Sequence, residues 1–279
     1  MARSCPKQWV GVAWVPKSRE GRRSVVSVDF ERRGRCGVIT INRPGARNAV
    51  NAEVAAGIEE GIDRIENDDE LWVGILTGVD PVFCAGADLK EVQGGRGDGV
   101  FTARGGFGGF VTRARSKPVI AAVDGPALAG GAELVLAADL VVASHRASFG
   151  IPEVKRCLIA GAGGLFRLAR KIPENVAMEC ALTGDPISAE RAQRVGLVNE
   201  LVEDGHAVEA ALALAQRIIA NSPLAVRQSR RVLLATSRLG DEESFAISNE
   251  ALSIVTRSVD FREGLAAFIE KRPPMWTGH

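Results

Sequence analysis

The sequence predicts an α/β fold: a mostly parallel sheet built from repeated strand–turn–helix units, followed by a helical C-terminal third. Three observations predict it. The runs at 71–77, 118–123 and 140–143 are apolar throughout, as strands covered on both faces should be. Turn and helix patterns separate those runs at a spacing that suits right-handed crossovers. From about residue 160 onward the pattern is nearly all helical.

Taken in order, Val25–Phe30 and Gly37–Asn42 read as short strands, and Asn42-Arg-Pro-Gly ends the second. Val54, Ile58, Ile62 and Ile65 recur at helical spacing and predict an amphipathic helix over about 51–66. The strand 71–77 closes at Gly78, a loop spans Pro81–Gly86, and Ala87–Val92 starts like a helix. Residues 94–109, GGRGDGVFTARGGFGG, read either as a mobile loop over something or as a surface excursion. The strand 118–123 leads through Asp124-Gly-Pro to a small-residue helix over 130–138, then to the strand 140–143. Helices follow at 165–171, 175–182 and 188–194, with a short strand at 197–201. Further helices span about 207–221, 223–236, 241–256 and 259–270, with Ser188 and Ser258 as N-caps. The division expected is an extension at 1–24, a core domain at 25–200 and a helical assembly region at 201–279.

Composition narrows the function. The 35 basic and 34 acidic residues nearly cancel, which gives no reason to expect nucleic acid or an anionic membrane as partner. The five cysteines are dispersed and odd in number, as in a reducing compartment, so a cytoplasmic protein with free thiols is expected. They form no zinc ribbon, and the histidines are too scattered for a metal site, so no metal is expected. Residues 1–24 carry Arg3, Lys7, Lys17, Arg19, Arg22 and Arg23 against Glu20 alone. They read as a disordered extension or an early start, with an ordered arm or a targeting segment as the alternatives. Phosphate-loop, dinucleotide and nucleophile-elbow motifs all fail, and Cys84 reads as a buried, inert thiol.

The chemistry concentrates in two loops of one form. Phe83-Cys84-Ala85-Gly86-Ala87-Asp88-Leu89-Lys90 follows the strand 71–77, and Pro126-Ala-Leu-Ala-Gly130-Gly131-Ala-Glu133 follows the strand 118–123. Each runs through small residues into a helix start, where backbone N–H groups are unpaired and a ligand can approach closely. They are either close-packed corners or two donors of an oxyanion hole. Glu133 lies one turn into an otherwise apolar helix. It is either a capping carboxylate or one whose raised pKa suits proton transfer. Glu153 follows Pro152, so a stiff backbone aims it; the alternative is a surface acid.

At these residues the chain resembles the crotonase superfamily, the enoyl-CoA hydratase/isomerase family. The resemblance spans about 25–272 and rests on motifs in order: NRPGARNAV at 42–50, FCAGADLKE at 83–91, KPVIAAVDGPALAGGAEL at 117–134, ASFGIPEV at 147–154, AGAGG at 160–164 and AFIEKR at 267–272. It implies repeated ββα units with a C-terminal helical region that assembles trimers or hexamers. It implies that the Ala87 and Gly130 amides bind a thioester oxygen, and that Glu133 and Glu153 hold and activate one water. That water would add to a trans-2-enoyl group and give a 3-hydroxyacyl-CoA. Ala46, Arg47, Ala49, Ala85, Gly86, Asp88, Leu89, Lys90 and Gly131 would meet the coenzyme A portion or the thioester. Phe268 and Lys271 would reach its phosphates, from a neighbouring subunit in one version. No cofactor is implied, because coenzyme A is part of the substrate. Ala160 stands where many hydratases have proline, and Leu165-Phe166 where Thr-Gln is common, which leaves the acyl preference open. Double-bond isomerisation or a specialised dehydration is the alternative chemistry, and a non-catalytic or RNA-binding use of the fold is the third reading.

Overall fold

The computed structural model describes residues 27–279, so the expectations for residues 1–24, and for the first two residues of the opening strand, lie outside the described residues. β1 (Val28–Arg33) and β2 (Cys36–Ile41) form an antiparallel hairpin with Val28 opposite Ile41. β1 sits at the sheet edge, so its outer end carries Glu31, Arg32 and Arg33 into solvent, three residues beyond the apolar run. α1 (Ala52–Asn67) begins where the Asn51 side chain accepts the Val54 amide at 2.9 Å. Its predicted stripe of Val54, Ile58, Ile62 and Ile65 is fully buried. β3 (Val73–Gly78) then pairs in parallel with β2.

The chain continues through a single helical turn, α2 (Leu89–Glu91), into the glycine-rich segment. That segment, read as a mobile loop or a surface excursion, contains regular structure. It forms a small hairpin, β4 (Phe101–Thr102) and β5 (Gly106–Phe107), because Val100, Phe107 and Phe110 bury their side chains and Phe101 meets Phe107 edge to face.

β6 (Val119–Val123), β7 (Pro126–Leu128), α3 (Gly130–Ala137), β8 (Leu140–Ser144) and β9 (Ser148–Gly150) follow. The later elements are α4 (Gly164–Lys171), α5 (Glu174–Thr183), β10 (Ile187–Ser188), α6 (Ala189–Arg194) and β11 (Glu200–Val202). α7 (Ala207–Ile219), α8 (Pro223–Thr236), α9 (Asp241–Thr256) and α10 (Val259–Glu270) complete the chain. The main sheet has the order β1-β2-β3-β6-β8-β11 and is parallel except at its β1 edge; β10-β9-β7 form a second sheet. The strand expected at 197–201 starts later, because Leu197 and Val198 turn into the core behind Gly196 at φ +86°.

Side chains of the main sheet alternate between two cores. Ile39, Leu76, Ala121 and Val141 face α1, α3 and the second sheet. Val38, Ile75, Ile120 and Val142 face α7, whose Ala207, Ala211 and Ala215 recur every four residues and let the helix lie close. Each buried Val, Ile or Leu contributes about 1.5–3 kcal/mol of transfer free energy. α7 falls within the region 201–279 assigned to assembly, yet it covers the second face of the sheet. Ser188 and Ser258 cap α6 and α10 as expected, accepting the amides of Arg191 and Phe261.

Candidate active site

The two predicted loops are laced together by their backbones. The Cys84 amide donates to the Pro126 carbonyl at 3.3 Å, and the Leu128 amide returns to the Cys84 carbonyl at 3.0 Å. On the other side, the Val50 amide donates to Gly86 and the Asp88 amide to Val50, both at 2.8 Å. Gly86 sits at φ +94°, and a Cβ there would lie 3.0 Å from the Gly130 nitrogen. The corners are therefore in contact. Ala129 adopts φ +52°, ψ −127°, a strained conformation for a residue with a Cβ, and it turns the chain into α3 at Gly130. Among the described residues, neither the Ala87 amide nor the Gly130 amide has a hydrogen-bond acceptor in the protein. Two free N–H groups on adjoining corners can hold one oxygen that gains negative charge.

Gly130 and Gly131 cannot carry side chains here. A Cβ on Gly130 would lie 2.3 Å from the Phe107 ring, and one on Gly131 2.1 Å from the Cys84 carbonyl oxygen. Cys84 is itself fully buried, its Sγ accepts the Gly86 amide at 3.4 Å, and burial pushes its thiol up to about 12. It is the inert thiol expected.

Glu133 projects from the first turn of α3 and is only 4% exposed. Its Oε1 accepts the Gly164 amide at 2.9 Å, from the turn that opens α4. Burial pushes its carboxyl above the ordinary glutamate range and the charge of Glu153 adds to that push; the amides of Gly164 and Ala162 and the charge of Arg167 oppose it. Glu153 lies on a 3-10 turn, Pro152–Arg156, with Pro152 at its first position. Burial raises its carboxyl too, and its Oε2 is buried with no hydrogen-bond partner in the protein. Both carboxylates thus have raised proton affinity, and the charge of Glu153 reaches Glu133.

The remaining predicted residues divide. Ala46, Arg47 and Ala49 lie on the turn before α1, where the Arg47 carbonyl accepts the Ala85 amide at 3.1 Å. That joins the first motif to the second, with the Arg47 side chain in solvent. Asp88 forms an ion pair with Arg43 at 3.0 Å and caps α2 through the Lys90 amide. Burial pushes its carboxyl up, but the Arg43 and Lys90 hydrogen bonds outweigh it and leave it below its ordinary value. Leu89 and Lys90 point outward, as a rim would. Phe268, on α10, is 84% exposed, and Lys271, one residue past its end, is exposed as well; among the described residues no hydrogen bond joins either side chain to the site.

Sequence reasoning missed Asn48. It is fully buried at φ +55°, accepts the Arg43 amide at 2.9 Å, and donates to both Val79 and Val82 carbonyls at 2.6 Å. The signal was an asparagine in a Pro-Gly turn, the residue type that tolerates left-handed backbone and satisfies local carbonyls. Arg43, which donates to the Ala49 carbonyl and pairs with Asp88, was missed as well.

A fold of this kind, with paired carboxylates beside a two-amide corner, defines a class that handles a polarised carbonyl. Comparison with known proteins gives the family. The family model described as Enoyl-CoA hydratase/isomerase matches residues 31–279. An enoyl-CoA hydratase, EchA19, of Mycobacterium tuberculosis is 41% identical over 251 residues, covering 88% of this chain and 94% of its own. A carnitinyl-CoA dehydratase of Salmonella typhi is 38% identical, covering 90% and 98%. The crystal structure of enoyl-CoA hydratase EchA1 from Mycobacterium marinum superposes with a TM-score of 0.88 at 50% identity, over 91% of this chain and all of that one. The chain belongs to the enoyl-CoA hydratase/isomerase family.

Proposed function

We propose that Glu133 and Glu153 hold one water and add it across the double bond of a trans-2-enoyl-CoA, with the thioester oxygen held by the Ala87 and Gly130 amides. The protein is an enzyme, a hydro-lyase of the enoyl-CoA hydratase type. The observation that carries the residue assignment is the convergence of the two corners, with Gly86 packed against the Gly130 nitrogen three residues before the buried Glu133, on which the half-buried Glu153 acts by its charge. In the forward step, one carboxylate takes a proton from water as the oxygen bonds to C3. The electron pair of the double bond moves onto the thioester oxygen, where the two N–H groups stabilise it. The other carboxylate orients the water or relays a proton to C2; where it only orients, the first carboxylate passes the proton taken from water on to C2, so in either case the H and OH of one water end in the 3-hydroxyacyl-CoA. Coenzyme A arrives as part of the substrate, and this balance needs no further cofactor. The rim of Ala46, Arg47, Ala49, Ala85, Leu89 and Lys90 receives the coenzyme A portion.

The assembly proposed is a homotrimer, alone or paired into a hexamer, through α8–α10. Leu233, Phe245, Leu252, Phe268 and Ile269 expose large apolar surfaces there, more than a lone chain usually leaves to water. Leu233 and Leu234 also line an open groove of about 1240 Å³ between α4, α7 and α8, which contains neither glutamate. In such an assembly Phe268 and Lys271 reach a neighbour's coenzyme A site. We assign the enzyme to the cytoplasm and to fatty acid β-oxidation. Among the described residues, no helix is long and apolar enough to cross a membrane.

The test is hydration of crotonyl-CoA, followed as loss of enoyl-thioester absorbance. Wild type is expected to hydrate it, and Glu133→Gln or Glu153→Gln to slow it by roughly 100-fold or more, the scale of lost general acid–base catalysis. Wild-type rates in both variants would remove the paired-carboxylate mechanism. A wild type silent toward short, long and branched enoyl-CoAs would move the reading to double-bond isomerisation.

A further inference from the structure

Arg167, on the first turn of α4, is bound in an unusual way. Its guanidinium donates through Nη1 to the Ala162 carbonyl at 2.9 Å and through Nη2 to the carbonyl of Val111, just past the glycine-rich segment. Its own amide donates to the Gly163 carbonyl at 3.1 Å. The guanidinium lies so close over Gly163 that a Cβ there would fall 2.2 Å from Nη1, and Gly163 also sits at φ +99°. The next amide in the chain, that of Gly164, is the one that holds Glu133 Oε1 at 2.9 Å. Among the described residues Arg167 has no carboxylate within ion-pairing distance. A half-buried cation without an ion pair is costly to keep, so its retention calls for another use.

We propose that Arg167 is a positioning residue for hydration. It clamps the 161–164 turn to Val111, two residues past the 94–109 segment, so that the Gly164 amide and a fixed positive charge both bear on Glu133. The proposal rests on the reading of Glu133 as one of the water-activating pair. The fork geometry suits the residue type, because Nη1 and Nη2 are separate donors in a fixed plane, whereas a lysine would have to reach both carbonyls from a single nitrogen. Phe166 supports one face, its ring 5.0 Å from the guanidinium carbon.

The charges around this pair are few. Glu133 faces Glu153 from the 3-10 turn and Arg167 from α4. Arg167 faces Glu133, with Arg170 beside it on α4, and its charge also reaches Lys171 and Arg115. Burial weakens the guanidinium's hold on its proton and the Glu133 charge strengthens it. Removing Arg167 therefore leaves Glu133 with Glu153 alone as its nearest charge, and Glu133 holds its proton to higher pH.

The experiment compares wild type, Arg167→Met and Arg167→Lys in the full chain. It measures kcat and KM for crotonyl-CoA against pH, and hydrogen exchange of the Gly164 amide. For Arg167→Met we expect kcat to fall about 10- to 100-fold with KM little changed, the cost of a misplaced catalytic group. The acid limb of its profile moves to higher pH, and the Gly164 amide exchanges at least ~10-fold faster. Arg167→Lys keeps the charge and loses the fork, so its limb stays near that of wild type while Gly164 exchange rises. An unchanged acid limb and unchanged Gly164 exchange in Arg167→Met would overturn the proposal, even with a lowered melting temperature. If wild type hydrates no enoyl-CoA, the reading of Glu133 falls by itself, and Gly164 exchange still decides whether Arg167 holds the turn.

Discussion

Glu133 and Glu153 occupy opposite kinds of structure. Glu133 stands on a buried helix, between apolar neighbours, with one oxygen fixed by the Gly164 amide. Glu153 stands on a single 3-10 turn whose continuation exposes Leu158 and Ile159, and its buried Oε2 has no protein partner. Burial pushes both carboxyls up, and they differ in mechanical support. The framework fixes one carboxylate through the Gly164 amide; on the proposed mechanism, the unpartnered Oε2 of the other is the oxygen left for the reacting molecule.

Shortening each acid by one methylene sharpens that contrast. On the proposed mechanism, replacement of either glutamate by glutamine should remove proton transfer and cost roughly 100-fold or more in rate, with the double variant falling far short of the product of the two. The aspartate variants should differ. Glu133→Asp pulls its oxygen off the Gly164 amide and cannot be followed by a packed helix, so it should lose about 100-fold, as a 1 Å misplacement can. Glu153→Asp sits on a turn that can adjust and should lose nearer ~10-fold. Steady-state rates on crotonyl-CoA check this, and equal losses for the two would erase the contrast.

The thioester corner is tested by a group with no charge. Gly130→Ala places a Cβ against the Phe107 ring, 2.3 Å away, and must shift α3 or β5. Alanine keeps the N–H but displaces it; removing one oxyanion donor outright typically costs about 10²–10³ in kcat, and we expect a loss approaching that here. A variant that folds, melts near wild type and keeps its kcat would count against the need for a precisely placed Gly130 amide.

The part of this site legible in the sequence was the part fixed by local chemistry. The small-residue loops, the helix start at Gly130 and the stiff approach through Pro152 are written in adjacent residues. The lacing was not. Cys84 finds Pro126, and Asn48 finds Val79 and Val82, across more than 30 residues of chain, and no periodicity encodes such pairings. The hairpin at 101–107 was hidden because its glycines read as freedom, while Phe107 and Phe110 supplied the burial that orders it. α7 looked like its helical neighbours in sequence; only the alanines at 207, 211 and 215 marked it as the helix that lies on the sheet.

Asn48 gives the next effect in size. Its side chain satisfies one amide and two carbonyls in a site without water access of its own. Asn48→Ala leaves them unpaired and should cost about 2–3 kcal/mol of stability, the penalty for buried groups left without partners. Denaturant unfolding measures that loss. Because Asn48 holds the loop that precedes Phe83, kcat should fall with it; a stable variant with lowered kcat alone would make Asn48 a site residue rather than a structural one.

The smallest effect concerns stability against pH, and its sign follows from burial. Both glutamates hold their protons to higher pH in the folded chain than in the unfolded one. Between the ordinary glutamate value of 4.5 and their raised values, the folded state therefore binds more protons. Stability falls as pH rises through that window, and the loss is complete above it. Glu133→Gln keeps an oxygen for the Gly164 amide and carries no charge at any pH. It should melt above the parent at neutral pH, by a few degrees at most, with the gap closing as pH falls toward the ordinary carboxylate range. Glu153→Gln should show the same trend more weakly, because its turn is only half-buried and water screens its charge. A Glu133→Gln melting temperature below that of the parent at neutral pH would mean that the ionised carboxylate is stabilised by its amides more than it is penalised by burial, and the fixed carboxylate would then be the more comfortable of the two.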